Sequence, residues 1–365
     1  MTQKLLRWGI LGAANIARKN WASILNSGNG ELVAVGGRSA ERTNAFIREC
    51  QASAALPTAP RACTYDELVA AKDVDAVYVP IPTGIRKEWV VKLAEAGKHV
   101  MCEKPCAGNA ADLKVMIDAC RKNNVQFMDG VMFMHSSRLP KLRAALDAGE
   151  IGDLRRISSQ FSFFASPEFH AGNIRTSSEL EPLGALGDLG WYNIRLTLWT
   201  MKYQLPHSVS GRLLAGGGQP GDKGQVPLEF SAELFFKDGV SASFYCSFLA
   251  ENAQWGVISG TKGYIRINDF VLPFFGGEAG FDIVNASLTN RCCDMDMHER
   301  KRRVSAFEYS NNGPDAQETM LFRNFADIVL SGKRDDHWPT IALQTQQVLD
   351  ACLASARNEG KLTAL

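Results

Sequence analysis

Residues 5–27, "LLRWGILGAANIARKNWASILNS", run from an apolar segment through a turn of small residues into an amphipathic segment. The pattern predicts a buried β-strand over residues 5–12 and an α-helix over residues 15–27. The small residues of this stretch are Gly9, Gly12, Ala14 and Ala17. Small side chains let the backbone bend sharply and approach a pyrophosphate at the helix N-terminus. The stretch therefore predicts a dinucleotide-binding turn; a tight strand–helix turn that binds no ligand is the alternative.

The segments that follow alternate in the same way between apolar runs and amphipathic stretches. Strands are predicted over residues 31–38, 74–82, 99–104 and 125–133, and helices over residues 39–50, 85–97 and 110–123. Continuous Val, Ile and Leu runs separated by helices are typical of a parallel sheet covered on both faces. We therefore predict an α/β fold in which residues 1–130 form a doubly wound Rossmann domain.

The pattern changes after about residue 150. Residues 229–250 and 255–269 read as two β-hairpins, and residues 183–200 as a helix that precedes them. Two further helices are predicted around residues 316–331 and 340–357. Strands that are grouped together indicate an α+β architecture. We therefore predict that residues 131–365 form a second, α+β domain with an open, mostly antiparallel sheet.

Composition excludes several classes of function. The 365 residues are 45% hydrophobic and 22% charged, with a formal net charge of +1. Such a balance is typical of a soluble globular protein and gives no basic surface for nucleic acid or an anionic membrane. We find neither an apolar run of roughly 18 residues, as a membrane span needs, nor a signal-peptide pattern. Nine scattered cysteines indicate reduced thiols, so the cytoplasm is the expected compartment.

The end of the second predicted strand indicates which cofactor is preferred. It reads Gly37-Arg38-Ser39, without the acidic residue that would bind a ribose 2′-hydroxyl. An arginine here can pair with a 2′-phosphate, so NADP is favoured, and NAD remains possible. The alternative is that Arg38 is a solvated residue at the start of a helix.

Four motifs together resemble the glucose–fructose oxidoreductase/inositol dehydrogenase/MocA (Gfo/Idh/MocA) family. They are "GILGAANIA" (9–17), "YVPIPTGIRKEW" (78–89), "GKHVMCEKP" (97–105) and "GALGDLGWYNIRL" (184–196). The likeness covers nearly the whole chain and is greatest to a branch related to dimeric dihydrodiol dehydrogenase and NADP-dependent D-xylose dehydrogenase. The resemblance implies a dehydrogenase or reductase acting on CH–OH groups.

For Lys104, the resemblance implies a place in the cleft between domains, followed by a cis bond to Pro105. Open α/β sheets bind ligands at the carboxyl ends of their strands, where Lys104 is predicted to lie. An ammonium beside a substrate hydroxyl favours its deprotonated form and so assists hydride departure. The alternative is that Lys104 pairs with Glu103 or with a surface carboxylate.

In the second domain, the family pattern Asp-x-Gly-x-Tyr/His falls on Asp188 and Tyr192, which are four residues apart and are predicted to share one helical face. The resemblance implies that Tyr192 is the general acid/base and that Asp188 orients the substrate hydroxyls. Tyrosine has an unperturbed pKa of about 10, so a cation such as Lys104 is needed to make it a base near neutrality. Arg175 matches an arginine that the family often places before this helix, and is predicted to bind substrate. The alternatives are a helix cap or an ion pair with Arg195 for Asp188, and a plain surface position for Arg175.

The complete set of predicted cofactor-binding residues is Gly9, Gly12, Ala13, Ala14, Asn15, Ile16, Arg38, Ser39, Pro82, Thr83, Glu103 and Lys104. One departure from the family pattern concerns the segment after the third predicted strand. Relatives commonly carry asparagine or serine and then histidine there, whereas this chain has Gly84 and Arg86. Contact of the cofactor with the backbone at Pro82 and Thr83 is still expected. A cationic Arg86 would favour a different substrate.

No metal site is predicted. Cys102 and Cys106 have no second cysteine pair at zinc spacing, and residues 291–303, "RCCDMDMHERKRR", read as a polar surface excursion.

The leading hypothesis is hydride transfer between NADP and a hydroxyl or carbonyl carbon of a sugar, polyol or cyclic diol. The alternatives are an NAD-dependent glycoside-cleaving enzyme that works by transient oxidation and elimination, and a non-catalytic NADP(H) sensor. The partner is then a small molecule, and the resemblance implies a homodimer or homotetramer assembled through the C-terminal sheet.

Overall fold

The computed structural model describes residues 4–309 and 311–365. Their tertiary contacts divide the chain into two compact units. The first unit contains the described residues through His135, together with residues 177–182 and 311–346. The second contains residues 136–176, the described residues from Leu183 to Tyr309, and residues 347–365. Among the described residues, every helix is too short or too polar to cross a membrane.

The first unit is built on a six-stranded parallel sheet with the order β3-β2-β1-β4-β5-β6. Its strands are β1 (Leu6–Leu11), β2 (Gly30–Gly36), β3 (Arg61–Cys63), β4 (Ala76–Val79), β5 (His99–Cys102) and β6 (Phe127–Asp129). Its helices are α1 (Asn15–Ser27), α2 (Ala40–Ser53), α3 (Tyr65–Ala70), α4 (Thr83–Glu95) and α5 (Ala110–Lys122). The strand order reverses between β1 and β4, and dinucleotides bind at such a switch point. The prediction of a Rossmann domain is confirmed.

Local signals explain where most of these helices begin. The Ser39 side chain accepts the Arg42 amide at the start of α2, and the Asn109 side chain accepts the Asp112 amide at the start of α5. Thr64 and Glu67 form a capping box on α3. Polar caps of this kind satisfy amides that have no partner within the helix. Both β3 and α3 were absent from the predicted elements, because each spans only one turn or a few residues.

The second unit is built on a nine-stranded sheet with the order β14-β13-β12-β11-β7-β10-β9-β8-β15. Its strands are β7 (Leu154–Phe164), β8 (Ser208–Gly217), β9 (Val226–Phe235), β10 (Ser241–Ser247), β11 (Leu249–Gly260), β12 (Tyr264–Ile267), β13 (Glu278–Arg291), β14 (Asp294–Phe307) and β15 (Thr363–Ala364). Its first helices are α6 (Arg138–Asp147), α7 (Pro167–Gly172) and α8 (Trp191–Thr200). All pairings are antiparallel except that of β10 with β7, so the prediction of a mostly antiparallel sheet is confirmed.

Both predicted hairpins are present, as the β9–β10 and β11–β12 pairs. The predicted surface excursion over residues 291–303 is instead part of a regular hairpin, in which β13 and β14 pair over fourteen residues each. Its outer residues are exposed, as the polar sequence indicates. The polar composition of residues 291–303 correctly predicted that they are exposed. It did not predict the strands, because so many charged residues leave no alternation of apolar and polar positions.

Two helices, α9 (Gln317–Leu330) and α10 (His337–Arg357), precede the last strand, β15. The grouping of residues 311–346 with the first unit differs from the predicted boundary, which assigned everything after residue 130 to the second domain. The reason is the apolar face of α9. Phe322 and Phe325 lie with their ring centroids 5.2 Å and 5.1 Å from that of Trp8 in β1. Helix α9 therefore completes the hydrophobic core of the six-stranded sheet, although it lies late in the chain.

Candidate active site

The turn between β1 and α1 has the conformation that a nucleotide cradle requires. Gly12 has φ of +113°, a conformation that side chains disfavour, and its amide donates to the Gly36 carbonyl at 2.9 Å. A Cβ on Gly12 would lie 2.8 Å from Ile81 Cγ2 and 3.3 Å from the Tyr65 hydroxyl oxygen. Only glycine fits here without displacing the end of β4, so the turn stays open and close to the sheet.

The N-terminus of α1 suits an anion. Its N-cap is Ala14, which offers no side-chain hydrogen bond, and its first turn contains no acidic residue. In this it differs from α2, α3 and α5, whose first amides are capped by side chains. Ala13, Asn15 and Ile16 are exposed around it. Uncapped amides and the positive end of the helix dipole together fit a pyrophosphate. The residues present therefore fit a dinucleotide at this turn.

Gly9, a predicted cofactor residue, has a packing role in β1. It lies within β1, and a Cβ there would lie 2.9 Å from Leu68 Cδ1 of α3. Its missing side chain therefore makes room for α3 against the sheet. The one-turn helix α3 was not predicted, so this use of Gly9 was hidden.

At the end of β2, Arg38 is exposed and Ser39 caps α2. Tyr65, the first residue of α3, lies near both this arginine and Gly12. Burial raises the pKa of the Tyr65 hydroxyl, and the nearby Arg38 partly offsets the rise. An exposed cation beside a neutral phenol at this strand end provides hydrogen-bond donors for a phosphate group. Tyr65 was missed in the sequence because it lies in the unpredicted helix.

Glu103 is buried and belongs to a hydrogen-bonded chain inside the first unit. The Asn20 amide donates to the Tyr78 hydroxyl at 2.6 Å, and that hydroxyl donates to Glu103 Oε1 at 2.5 Å. Glu103 Oε2 accepts the backbone amide of Lys104 at 3.2 Å. Burial, together with the adjacent Glu103 carboxylate, raises the pKa of Tyr78 well above its ordinary value. The network fixes the Glu103 carboxylate beneath Lys104 and keeps Tyr78 as a donor.

Lys104 lies just after β5 and is joined to Pro105 by a cis peptide bond, as predicted. The half-buried Lys104 therefore stands at the carboxyl end of the sheet, two strands from β1. Ligands of open α/β sheets bind at this edge.

Arg86 is 3% exposed, and its guanidinium donates to backbone carbonyls around this loop. Nε lies 3.0 Å from the carbonyl oxygen of Ile81, and Nη1 lies 2.7 Å from that of Glu103 and also contacts that of Pro105. The expectation that a cationic Arg86 tunes the substrate is therefore wrong. Its charge is buried in backbone hydrogen bonds, and it holds the ends of β4 and β5 together.

Thr83, predicted to contact the cofactor through its backbone, is engaged within the protein. Its amide donates to Glu181 Oε1 at 3.0 Å, and its hydroxyl oxygen lies 2.6 Å from Glu181 Oε2. Pro82 is the N-cap residue of α4 and is half-buried. The amide of Thr83 is thus not available to a ligand in this conformation. Glu181 lies 98 positions further along the chain, so sequence inspection did not associate it with this helix.

Two of the residues predicted to bind substrate meet in the second unit. Arg175 Nε lies 2.8 Å from Asp188 Oδ2, and the aspartate side chain is 12% exposed. Arg175 is therefore paired with Asp188 rather than isolated on the surface. Arg195, the predicted alternative partner of Asp188, is completely buried in α8.

Asp188 lies in a π-helical turn, Leu186–Gly190, that leads directly into α8 and Tyr192. Because a π turn changes the rotation per residue, the four-residue spacing does not by itself put Asp188 and Tyr192 on one face. Gly190 allows the turn to pack closely, since a Cβ there would lie 3.0 Å from Leu186 Cδ1 and 3.3 Å from Cys246 Sγ. Such turns often occur at functional sites.

Tyr192 is 5% exposed, and its ring packs edge-to-face on Phe161 of β7, with a centroid distance of 5.6 Å. Phe161 in turn packs edge-to-face on Phe270, with a distance of 6.4 Å between the ring centroids. Aromatic packing of this kind fixes the plane of the phenol.

The described residues contain no group of three or more metal-ligating side chains. Cys102 and Cys106 are both buried, and burial, with Cys102 nearby, raises the pKa of the Cys106 thiol well above its ordinary value. Cys292 and Cys293 form the exposed turn between β13 and β14.

Comparison with known proteins relates both halves of the chain to one family. Residues 6–131 match the oxidoreductase family described by its NAD-binding Rossmann fold, and residues 140–266 match the GFO/IDH/MocA C-terminal domain. These matches confirm the resemblance inferred from the four motifs.

Individual relatives share much of the chain. A dTDP-3,4-didehydro-2,6-dideoxy-alpha-D-glucose 3-reductase of Saccharopolyspora spinosa is 34% identical over 84% of this chain and 87% of its own length. A D-xylose 1-dehydrogenase (NADP(+)) of Haloferax volcanii is 30% identical over 83% of this chain and 88% of its own. The crystal structure of a 3-ketoreductase of Actinomadura kijaniata, in complex with NADP and TDP-benzene, has a TM-score of 0.78 and 22% identity, and covers 96% of this chain and 98% of its own.

Proposed function

The chain belongs to the Gfo/Idh/MocA family of oxidoreductases, and we propose that it transfers a hydride between NADP and a hydroxyl or carbonyl carbon of a sugar, polyol or cyclic diol. The observation that carries the proposal is the position of Lys104. It follows β5 at the same edge of the sheet as the open turn of Gly12 and Ala14. A cation at this edge can stabilise the negative charge on the substrate oxygen when its hydroxyl is deprotonated, which assists hydride removal.

The preference for NADP rests on Arg38. It is exposed at the end of β2, and neither of its sequence neighbours, Gly37 and Ser39, is an acidic residue that would bind a ribose 2′-hydroxyl. A guanidinium forms bidentate, charge-assisted hydrogen bonds with a phosphate group. The relative from Haloferax volcanii is named as an NADP(+) enzyme, which agrees with this preference. NAD would bind at the same turn but would leave Arg38 without a phosphate partner.

Each proposed catalytic residue has a separate role. In the oxidative direction the phenolate form of Tyr192 takes the proton of the substrate hydroxyl and becomes a neutral phenol. A bound nicotinamide would supply the hydride acceptor. The ammonium of Lys104 stabilises the developing alkoxide. Asp188, held by Arg175, accepts hydrogen bonds from neighbouring substrate hydroxyls. In the reductive direction Tyr192 returns the proton to the alkoxide.

The test of this function is a binding and turnover assay. Purified protein is titrated with NADPH and NADH while nucleotide fluorescence is followed. A panel of aldoses, polyols, cyclic diols and keto sugars is then assayed with both cofactors. We expect tighter binding of NADPH and turnover of at least one member of the panel. Failure to bind either nucleotide contradicts the proposal.

The proposed partner, besides the small-molecule substrate, is a second copy of the chain on the open face of the nine-stranded sheet. A cavity of about 410 Å³ lies on this face, and its lining includes Ser158, Tyr245 and Trp255. A broad sheet face with aromatic side chains and small polar neighbours suits a self-complementary contact. Light scattering should give a dimer or tetramer mass. A Trp255→Glu variant should shift that mass toward the monomer.

The proposed location is the cytoplasm. All nine cysteines are free thiols, and six of them are buried. Unpaired thiols in this number suit a reducing compartment. Fractionation of the native cells, with detection by antibody, tests the location.

A further inference from the structure

Residues 177–182, "SSELEP", form a short segment that we call the strap. The strap belongs to the first unit, although its neighbours on both sides in the sequence belong to the second. It was predicted neither as an element nor as part of the site. Its contacts are concentrated on the first turn of α4.

Two consecutive amides at the start of α4 are satisfied by the strap. The Thr83 amide donates to Glu181 Oε1 at 3.0 Å, and the Gly84 amide donates to the Leu180 carbonyl at 2.9 Å. The N-cap of α4 is a proline and gives no side-chain cap. The Glu181 carboxylate therefore replaces the missing cap and interacts favourably with the helix dipole.

Gly84 is explained by the same contact. A Cβ at this position would lie 2.1 Å from the Glu179 carbonyl oxygen, a distance that backbone atoms cannot accept. The departure from the family pattern at Gly84 therefore makes room for the backbone of the strap.

The contact reaches the peptide that follows Pro105, one residue beyond Lys104. The Thr83 hydroxyl oxygen lies 2.6 Å from Glu181 Oε2 and 3.3 Å from the Pro105 carbonyl oxygen. Arg86 holds the same carbonyl from the other side. The single hydroxyl proton goes to the nearer carboxylate, so Thr83, held by Glu181, packs against the loop that carries Lys104.

We propose that Glu181 is a positioning residue, which holds the Lys104–Pro105 loop in place through Thr83 by fastening the strap to α4. The proposal rests on the proposed function, because it assigns Glu181 to the placement of the catalytic lysine. Glu181 itself touches neither substrate nor cofactor. Its carboxylate orders Thr83, and Thr83 packs against the Pro105 carbonyl, one residue beyond Lys104.

Two independent changes release the strap. Glu181→Ala removes the carboxylate, and Gly84→Ala drives a methyl group into the Glu179 carbonyl. Glu181→Gln retains an oxygen that can accept the Thr83 amide, and it has a similar shape. It should therefore keep most of the amide protection and Lys104 placement that Glu181→Ala loses. Glu179→Ala is the matched control, since that side chain lies in the same strap and is exposed.

The first readout needs no substrate. Hydrogen exchange reports the protection of the Thr83 and Gly84 amides, and acetylation by acetic anhydride, followed by mass spectrometry, reports the reactivity of the Lys104 amine. We expect faster exchange at both amides, and a severalfold change in Lys104 acetylation, in Glu181→Ala and Gly84→Ala. Glu179→Ala should show the exchange rates and the Lys104 acetylation of the parent protein. Glu181→Gln should give values close to those of the parent.

The second readout separates positioning from simple loss of structure. With any substrate that the parent protein turns over, Glu181→Ala should lower kcat by about tenfold or more, because small misplacements of a catalytic group are costly. The dissociation constant for NADPH should change less than twofold. A structural defect alone would lower the active fraction equally in all assays and leave Lys104 acetylation of the folded fraction unchanged.

The outcomes are distinguishable. Unchanged protection and unchanged Lys104 acetylation in both release variants overturn the proposal. Absence of NADPH binding by the parent protein overturns the proposed function instead, and the exchange and acetylation results still report on the strap.

Discussion

Arg86 donates from Nη1 to the backbone carbonyl of Glu103 at 2.7 Å, although the two residues stand in different β–α units of the same sheet. The same guanidinium reaches the carbonyls of Ile81 and Pro105. A buried cation in this chain thus replaces direct strand pairing where β4 and β5 have ended. The loop that carries Lys104 is therefore held by hydrogen bonds from Arg86.

Removal of that guanidinium should be severe. Arg86→Met keeps much of the volume but leaves three buried carbonyls without their donor, at about 1–3 kcal/mol each. We expect the free energy of unfolding to fall by about 3 kcal/mol or more in denaturant titrations. Lys87→Met, at the exposed adjacent position with its Asp112 ion pair, is the control and should cost about 1 kcal/mol at most. Equal losses in the two variants would refute a structural role for Arg86.

Arg38 should determine the choice of nucleotide. Arg38→Ala removes the proposed partner of the 2′-phosphate, and a charge-assisted hydrogen bond contributes about 1.5–3 kcal/mol. We expect the dissociation constant for NADPH to rise by roughly tenfold to a hundredfold, and that for NADH to change little. Arg48→Ala, exposed further along α2, is the matched control. If Arg38→Ala raised the dissociation constants for NADPH and NADH by the same factor, Arg38 would not bind the 2′-phosphate.

His99 should make stability depend on pH. Its Nδ1 accepts the Gln126 amide at 2.9 Å, and burial lowers its pKa below the ordinary value, with Asp75 partly opposing the effect. The unfolded chain then takes up the proton first, so stability is complete above the unfolded pKa of about 6.5 and falls as the pH drops below it. The slope for one proton is at most about 1.4 kcal/mol per pH unit.

The measurement for His99 is the free energy of unfolding at a series of pH values from neutral to mildly acidic. His99→Gln retains an acceptor for Gln126 but cannot titrate. Its curve should be flatter than that of the parent protein below the unfolded pKa. Curves that stay parallel over this range would remove His99 as the cause.

Much of the first unit was predictable because its information is local. The turn at Gly12 and the position of Lys104 after β5 follow from apolar periodicity and from residues that are close in the sequence. Contacts between distant segments were not predictable. Glu181 and Thr83 are 98 positions apart, and no local pattern marks a carboxylate that will cap a remote helix.

Two other differences have physical causes of the same kind. α9 joins the first unit because Phe322 fits against Trp8, which the order of elements does not reveal. The π turn at Asp188 arises where glycines allow close packing on the sheet. The sequence prediction did not find it, because the spacing argument assumed a regular α-helix. Local patterns identified the chemistry-bearing residues, whereas packing determined how each one is held.

The central proposal is that Lys104 and Tyr192 are both catalytic residues. The most direct measurement is the single-turnover rate of hydride transfer, compared with NADPH affinity, in Lys104→Ala and Tyr192→Phe. Each variant should lose a factor of about 10² to 10⁴ in the rate of hydride transfer, while the dissociation constant for NADPH changes little. Turnover that persists at the parent rate in either variant would contradict the account.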